Sequence, residues 1–253
     1  MMTCADGQLT VTMGRMTFID TFGMVSVLCA VKAHVDRGYD VVVNAPTRRE
    51  AGAYASRMNL HSRLRELGAD VRGFPTVTHH DQHGYLVECS TFGNADDFED
   101  LVTMLDERLA ANGWPHTVIL DVTEWLQEAA DNLETHAQTD RGFFAAQRFP
   151  TLGALQFTVG DAGVGIPANI TAANDCASIA HAMQEGVTST DDPHRGLGFV
   201  HMQNYARNVG GWLRVRSGAG HVYVDPGKHI LRSSVVERQQ GTIVTAQVPV
   251  GNW

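Results

Sequence analysis

The chain has 253 residues, of which 43% are hydrophobic and 19% are charged, and its formal net charge is −9. This apolar share can bury the core of one large or two small domains, and it excludes a disordered chain. The acidic balance disfavours binding to nucleic acid or to an anionic membrane surface. No apolar run reaches the roughly 18 residues that a spanning helix needs, and the first residues show no secretory signal pattern. The 4 cysteines are scattered without metal-ligand spacing, which favours a reducing cytoplasm.

Strand and helix signals alternate in the first quarter of the sequence. Short runs rich in Val, Thr, Ile and Phe predict strands, and apolar residues at helical spacing that stop at Gly38 and Gly68 predict helices. The predicted order is strand, helix, strand, helix, at residues 9–22, 23–38, 39–43 and 47–67. This order is typical of a small α/β layer with parallel strand pairing.

A domain boundary is predicted at residues 69–84, which carry Gly73, Pro75 and a polar run. The histidines and the aspartate of that run are interpreted as solvent-exposed rather than as a metal site, because no structured element supports them: His79, His80, Asp81 and His83.

Beyond the boundary the sequence predicts helices at 96–111, 116–138 and 199–209, and a polar segment at 171–195. It also predicts strands at 85–90, 154–160, 211–217, 220–225 and 241–249, with a hairpin around Gly218.

The long predicted helix carries a row of polar side chains. Glu128, Asn132 and His136 are spaced i, i+4 and i+8, so they lie on one helix face. A carboxylate, a carboxamide and an imidazole in one row are unusual on a helix flanked by apolar residues, and they make the row a candidate ligand site. A solvated stripe is the alternative interpretation.

Two glycine-rich segments follow. Asp161 comes directly after a predicted strand and precedes Gly163, Gly165 and Ile166, a sequence that permits a tight turn and a close backbone approach to a flat ligand. The Asp161 carboxylate could accept a hydrogen bond from an exocyclic amine, or it could be an ordinary turn aspartate.

The second segment, Arg195-Gly196-Leu197-Gly198-Phe199, opens a predicted helix. Backbone N–H groups at a glycine-rich helix start can bind an anion. An ordinary loop into a helix is the alternative. Further on, Gly241 and Thr242 lead into the last predicted strand.

In their order, these segments resemble the GHKL, or Bergerat-fold, ATP-binding domains of histidine kinases, gyrase, heat-shock chaperones and anti-sigma-factor kinases. The matching motifs are the E-x-x-x-N-x-x-x-H helix, the D-x-G-x-G-I turn, the G-x-G helix start and the closing G-T pair. The resemblance covers residues 85–250 and implies that ATP and Mg²⁺ are the cofactors.

The resemblance assigns one group of residues to the phosphate end of the nucleotide. Asn132 would hold the Mg²⁺ that bridges the phosphates, Glu128 would orient or deprotonate the attacking nucleophile, and His136 would lie near the phosphates. The segment that would cover the triphosphate comprises Gly196, Leu197 and Gly198, with 171–195 as a lid. Phosphoryl transfer depends on such positioning and charge stabilisation rather than on covalent chemistry.

The resemblance assigns a second group to the adenine end. Asp161 would accept a hydrogen bond from the adenine amine, and Gly163, Gly165 and Ile166 would shape that wall of the pocket. Thr242 would support the adenine side through water.

The subtype rests on two further likenesses. The Arg195–Phe199 segment is similar to the R-x-G-x-G-F of anti-sigma-factor serine kinases, one residue shorter, and its Arg195 could act in catalysis by reaching the γ-phosphate. The Gly210-Gly211 pair looks more like sensor histidine kinases.

The N-terminal segment Phe18–Met24 resembles the F-x-D-S-S-G-L of STAS domains, the anti-sigma-factor antagonists. Thr21 stands where that family carries its phosphorylated serine, so it is a candidate phosphoacceptor. The alternative is that Thr21 only caps the following helix.

The sequence therefore predicts an α/β protein of the α+β sandwich type. A STAS-like β-α-β-α module at residues 1–74 precedes a Bergerat-fold ATPase domain with a mixed sheet at 85–253. The predicted function is an ATP- and Mg²⁺-dependent protein Ser/Thr kinase or ATPase of the anti-sigma-kinase type in bacterial signalling. Its partner would be STAS- or sigma-factor-related, and it could pair as a homodimer. The alternatives are a non-catalytic ATP switch and, less favoured by the intact motif residues, a scaffold with an inactive nucleotide site.

Overall fold

A computed structural model describes residues 1–5, 7–77, 86–93, 95–111, 113–132, 139–184 and 198–249. In these ranges the chain forms two sheets with helices packed on and between them.

The first sheet lies in the N-terminal part of the chain. Its strands are β1 (Met2–Ala5), β2 (Gln8–Thr12), β3 (Asp40–Asn44) and β4 (Asp70–Arg72), in the order β1-β2-β3-β4. β1 and β2 form an antiparallel pair, whereas β2–β3 and β3–β4 are parallel. The parallel pairing expected from the alternating strands and helices is therefore confirmed, and β4 lies inside the segment predicted as a boundary.

The helices of this part are α1 (Thr21–Val35), α2 (Arg49–Arg57) and α3 (Leu60–Glu66). The single helix predicted over 47–67 is wrong, because Asn59 takes a left-handed backbone conformation with φ 56° and separates α2 from α3. Asparagine tolerates this region better than most residues, so it can end one helix and begin the next within a short space.

Helix α1 is buried on both of its faces. Val25 and Cys29 lie against the second sheet, while Leu28 and Val31 belong to the same buried cluster as β3. The apolar spacing at 23–38 predicted the helix, but it gave no sign that two layers cover it. A helix that is apolar nearly all round is one that packs between two layers, and α1 separates the two sheets.

The second sheet has the strand order β5-β6-β7-β9-β8. Its strands are β5 (Leu86–Phe92), β6 (Gly142–Phe149), β7 (Ala154–Asp161), β8 (Trp212–Asp225) and β9 (Ile230–Pro249). Each described pairing in it is antiparallel. Short connections such as those between β6 and β7 and between β8 and β9 favour this arrangement, since parallel strands require a long crossover.

Two strand assignments in this sheet differ from the sequence prediction. The hairpin expected around Gly218 is instead a bulge within the single long strand β8, where the register with β9 shifts on both sides of Gly218. The hairpin turn lies further on, between Asp225 and Ile230. Strand β6 was not predicted, and its run of buried Phe and Ala residues fills the centre of the sheet.

The remaining helices cover the far face of the second sheet. They are α4 (Ala95–Ala111), α5 (His116–Asn132), a short α6 (Ile166–Asn169), α7 (Asp175–Ala182) and α8 (Gly198–Val209). One apolar cluster joins these helices to the sheet through Leu105, Leu126, Ile179 and Ala206. Helix α7 lies within the segment predicted as a polar lid, where Ile179 is fully buried.

The molecule is thus a layered α/β structure, and the predicted α+β sandwich class is confirmed. The mixed pairing expected in the second sheet is found in the first sheet instead. None of the described helices is both long enough and apolar enough to cross a membrane. The cysteines, all within the described ranges, are free thiols.

Candidate nucleotide site

Helix α5 is anchored on the second sheet by an aromatic contact. The ring of Trp125 packs at 4.9 Å from that of Phe157 in β7 and at 5.7 Å, edge to face, from that of Tyr205 in α8. Glu128 and Asn132 lie further along the same helix, in its last two turns. Their side chains and the whole of His136 lie outside the described part of the chain. For the predicted polar row, the structure therefore gives the position of the helix and not that of the side chains.

Asp161 ends strand β7 on the face that carries α5. Side chains alternate along a strand, so Phe157, Val159 and Asp161 share one face, and the first two of these belong to the cluster beneath the helices. After α5 the chain enters β6 at Gly142, whose register partner is Asp161. Strand β6, the next described strand after α5, therefore begins beside the Asp161 end of β7.

Both carboxylate oxygens of Asp161 accept backbone hydrogen bonds. Gly163 N donates to Oδ1 at 2.7 Å, and Thr242 N donates to Oδ2 at 3.3 Å. Burial raises the pKa of Asp161 to about 6, although the two N–H groups act in the opposite direction. A carboxylate that is partly desolvated and held in one orientation is a strong acceptor for a ligand N–H group.

A buried serine joins the turn after Asp161 to the start of the last strand segment. Ser217, in β8, accepts from Ile166 N at 2.8 Å and donates to Gly241 O at 3.0 Å, and its hydroxyl lies 3.0 Å from that of Thr242. Gly165 has φ 81°, and a Cβ there would lie 2.7 Å from Ser217 Oγ. The glycine is therefore required both by its backbone conformation and by the space.

Gly241 allows the closest backbone approach in this region. Its φ is 84°, and a Cβ built on it would overlap the carbonyl oxygen of Asp161 and lie 2.9 Å from Ala162 Cα. The Asp161 turn and the Gly241-Thr242 segment thus pack against each other with no room for a side chain between them.

The residues predicted for the adenine end of a nucleotide leave Asp161 able to accept a hydrogen bond from a ligand. Each Asp161 oxygen uses one lone pair on a backbone N–H group, and a carboxylate oxygen can accept a second hydrogen bond. The structure brings together the residues predicted for this end, namely Asp161, Gly163, Gly165, Ile166 and Thr242.

The predicted phosphate-covering segment lies largely outside the described residues. Arg195, Gly196 and Leu197 fall there, whereas Gly198 begins helix α8, as the sequence predicted for a helix start. The His-rich run at 79–83 is also outside the described residues. Within the described ranges no cluster of three or more His, Cys, Asp or Glu side chains is placed to hold a metal ion.

Thr21 lies on the opposite face of the second sheet from Asp161. It is 0% exposed, and its hydroxyl donates to Gln156 Oε1 at 3.0 Å and lies 2.9 Å from the hydroxyl of Thr158, which in turn lies 3.0 Å from that of Thr245. Asp20, rather than Thr21, caps α1 by accepting from Gly23 N at 2.8 Å. The alternative in which Thr21 is the cap is therefore wrong.

Sequence reasoning missed two residues of the site, Ser217 and Gln240. Ser217 continues the buried phase of β8 after Leu213 and Val215, so the alternation could have indicated an inward-facing hydroxyl. Gln240 donates through Nε2 to Ala162 O at 2.8 Å. No signal in the sequence distinguishes it from an ordinary exposed glutamine before a glycine.

Comparison with known proteins bears directly on this site. The family model of the histidine kinase-, DNA gyrase B- and HSP90-like ATPases matches residues 117–252. No curated protein matches the chain. The matched range covers more than half of the sequence and includes α5 from its second residue onward, the Asp161 turn and Thr242. The chain therefore belongs to the histidine kinase-, DNA gyrase B- and HSP90-like ATPase family.

Proposed function

We propose that this protein is an ATP- and Mg²⁺-dependent protein Ser/Thr kinase or ATPase of the anti-sigma-factor kinase type. The observation that carries the proposal is the Asp161 site, a largely buried carboxylate held by Gly163 N and Thr242 N at the end of a strand inside the family match. Family membership supports ATP binding of the kinase or ATPase kind, and the subtype rests on the Arg195–Phe199 motif and the STAS-like N-terminal segment.

The proposed roles follow the two ends of the nucleotide. Asp161 accepts from the adenine amine, and this charge-assisted bond gives adenine its preference over guanine, which carries a carbonyl at that position. Asn132 holds Mg²⁺, which when bound neutralises charge on the phosphates. Glu128 orients the nucleophile, and Arg195 pairs with the terminal phosphate.

A nucleotide titration in the presence of Mg²⁺, followed by intact-mass analysis, tests the proposal. We expect ATP to bind more tightly than GTP, and Mg-ATP to add phosphate to a STAS-type partner or to be hydrolysed. Failure to bind ATP would remove the proposal entirely. Equal binding of ATP and GTP would remove the role given to Asp161.

Two variants separate binding from chemistry. Glu128→Ala should retain ATP binding and lose turnover, while Asn132→Ala should lose the Mg²⁺-dependent part of the affinity. If Glu128→Ala reduces ATP affinity as strongly as Asn132→Ala does, the division of roles between the two residues is wrong.

A second function, a non-catalytic ATP switch, is favoured by the contact between α1 and the rear of β7. Gly160, next to Asp161, would carry a Cβ only 2.7 Å from Val25 Cγ1, so a change at the nucleotide site can reach the N-terminal part through direct packing. Micromolar ATP binding without turnover, together with normal signalling by Glu128→Ala, would select the switch over the kinase.

The remaining parts of the proposal concern organisation. We assign residues 1–74 to a STAS-like module and 85–253 to the ATPase domain, with a STAS- or sigma-factor-related partner, homodimer formation and a cytoplasmic setting. Thr21 remains the proposed phosphoacceptor, with one condition. Because it is fully buried against β7, a kinase can reach it only if α1 separates from the sheet.

A further inference from the structure

Gln240 connects the Asp161 turn to the N-terminal part of the molecule. Its Nε2 donates to Ala162 O at 2.8 Å, and its Oε1 accepts a hydrogen bond from the Arg37 guanidinium. Gln240 immediately precedes Gly241 and Thr242, and Thr242 N is one of the two donors to Asp161. The amide of Gln240 therefore holds the Asp161 turn from its outer side.

Arg37 is held in place by the end of α1. Gly38 N donates to Val35 O at 2.8 Å and Tyr39 N donates to His34 O at 3.1 Å, which closes the last turn of the helix. Such a C-terminal turn fixes the backbone that carries the adjacent side chain. The position of Arg37 is therefore set by the position of the end of α1, so its contact with Gln240 depends on how α1 lies against the second sheet.

The same end of α1 is attached to the ATPase part by an ion pair. Lys32 Nζ lies 2.7 Å from Asp36 Oδ2 and 2.7 Å from Asp140 Oδ1, and Asp140 lies just before β6. Burial alone would lower the pKa of Lys32, but hydrogen bonds to Asp140 and Asp36 outweigh it and raise that pKa. The ion pair thus links α1 to the residue two positions before β6, the strand that pairs with Asp161.

The packing of α1 behind β7 completes the connection. A Cβ on Gly160 would lie 2.7 Å from Val25 Cγ1 and 3.1 Å from Cys29 Sγ. The Asp161 turn is therefore contacted by α1 on the rear of the strand through Gly160 and, through Gln240 and Arg37, at its outer side. Small movements of α1 cannot leave both contacts unchanged, because packed interfaces resist continuous deformation.

We infer that Gln240 is a positioning residue for the adenine pocket, and that Arg37 couples the docking of α1 to nucleotide affinity. This inference rests on the proposed adenine role of Asp161. Gln240 acts through Ala162 O and the donors to Asp161 rather than by touching the nucleotide. By linkage, tighter docking of α1 favours nucleotide binding, and bound nucleotide favours the docked helix by the same factor.

Amide hydrogen exchange of the full chain without nucleotide tests the positioning role directly. In Gln240→Ala we expect faster exchange in peptides that cover residues 161–165 and 240–244, with no change in peptides from the first half of α5, which serve as the control for overall stability. Unchanged exchange in the first two peptides would overturn the inference, whether or not the protein binds ATP.

Nucleotide affinity tests the coupling. Gln240→Ala should weaken ATP binding about two- to tenfold, the effect of one hydrogen bond. Arg37→Ala should weaken it about twofold, as expected for a contact made by an exposed side chain, and should have no further effect in the Gln240→Ala background. Arg49→Ala, an exposed arginine at the start of α2, should leave the affinity unchanged.

Gln240→Glu separates the two contacts of the side chain. Glutamate keeps and strengthens the contact with Arg37, but it loses the donor to Ala162 O and places a carboxylate oxygen against a carbonyl oxygen. We expect this variant to bind ATP no better than Gln240→Ala does. Wild-type affinity in Gln240→Glu would overturn the inference, since the contact with Arg37 alone would then account for the role of Gln240.

The pH profile gives a readout that a general loss of stability would not produce. The donors Gly163 N and Thr242 N lower the pKa of Asp161, so loosening the turn should move the midpoint of the ATP affinity profile upward in Gln240→Ala. If the unmodified protein binds no ATP while exchange is faster in Gln240→Ala, the proposed function fails and the positioning of the turn by Gln240 is still supported.

Discussion

The two faces of the second sheet are built from the same strands but carry different kinds of residues. On the front face, Asp161 and Thr242 direct polar groups toward the turn and the helices. On the rear face, their chain neighbours Gly160 and Ile243 are small or apolar and receive α1. The polar residues of the front face belong to motifs that can be recognised in the sequence, whereas the rear face is fitted to the shape of one particular helix.

The largest effect is expected on the front face, from Gly241→Ala. A methyl group there would meet both a left-handed backbone and the carbonyl group of Asp161, 2.7 Å away at its carbon. We expect loss of ATP binding and a fall of more than about 3 kcal/mol in the free energy of unfolding, as strained backbone and overpacking combine. Chemical denaturation and ATP titration measure both.

Gly113→Ala is the matched control for that variant. Gly113 has φ 72° with no atom within 4 Å of a built Cβ, so it isolates the backbone cost, about 1–2 kcal/mol. Equal destabilisation by Gly113→Ala and Gly241→Ala would show that the close approach of Gly241 to Asp161 adds nothing to the cost of the left-handed backbone.

Asp161→Asn should give the next largest effect and should change the response to pH. If Asp161 has the proposed adenine role, loss of this one charge-assisted bond should weaken ATP binding by about 1.5–3 kcal/mol. With a folded pKa of about 6 against an ordinary 3.8, the unmodified apo protein gains stability from Asp161 at acid pH and loses it as the pH rises through 6. ATP affinity should change in the opposite direction and fall below pH 6, because the carboxylate becomes protonated.

Asp161→Asn should remove both pH dependences. Unfolding curves and ATP titrations at pH 5, 6 and 7.5, compared between the variant and the unmodified protein, isolate the contribution of this carboxyl group from the other titrating groups. Parallel pH profiles in the two proteins would contradict the assignment.

On the rear face, Gly160→Ala should destabilise the protein while affecting ATP binding less than Gly241→Ala does. The added methyl group would press on Val25 Cγ1 at 2.7 Å and on Ile243 Cγ1 at 3.1 Å, which costs about 1–3 kcal/mol of unfolding free energy. Gly14→Ala, whose nearest contact is at 3.5 Å, is the control and should be close to neutral. A neutral Gly160→Ala would mean that α1 does not pack tightly on β7.

The smallest effect is expected from Thr21→Val, also on the rear face. Valine keeps the shape but loses the hydrogen bonds to Gln156 and Thr158, which should lower the free energy of unfolding by about 1–2 kcal/mol, since buried polar partners are left unsatisfied. Thr21→Ser keeps the hydroxyl and should cost less, and a larger loss in the serine variant would assign the effect to the methyl group. ATP affinity should be unchanged in both.

The contrast between the faces also explains what the sequence could predict. The turn at Asp161 was recognisable because its glycines mark positions where no side chain fits, as Gly165 and its contact with Ser217 show. The burial of α1 between two sheets could not be predicted, because helical spacing identifies an apolar surface but does not show how many layers cover it. The break at Asn59 and the bulge at Gly218 depend on single backbone conformations that periodicity does not report.

The position of α1 has a practical consequence for anyone who isolates the ATPase part. A fragment that starts after the proposed boundary would expose Phe143, Ala145 and Ile243, which are fully or almost fully buried in the intact chain. Contiguous apolar surface of this kind promotes self-association in water. The intact chain should melt as one cooperative unit, and the shortened one should precipitate before its enzymology can be measured.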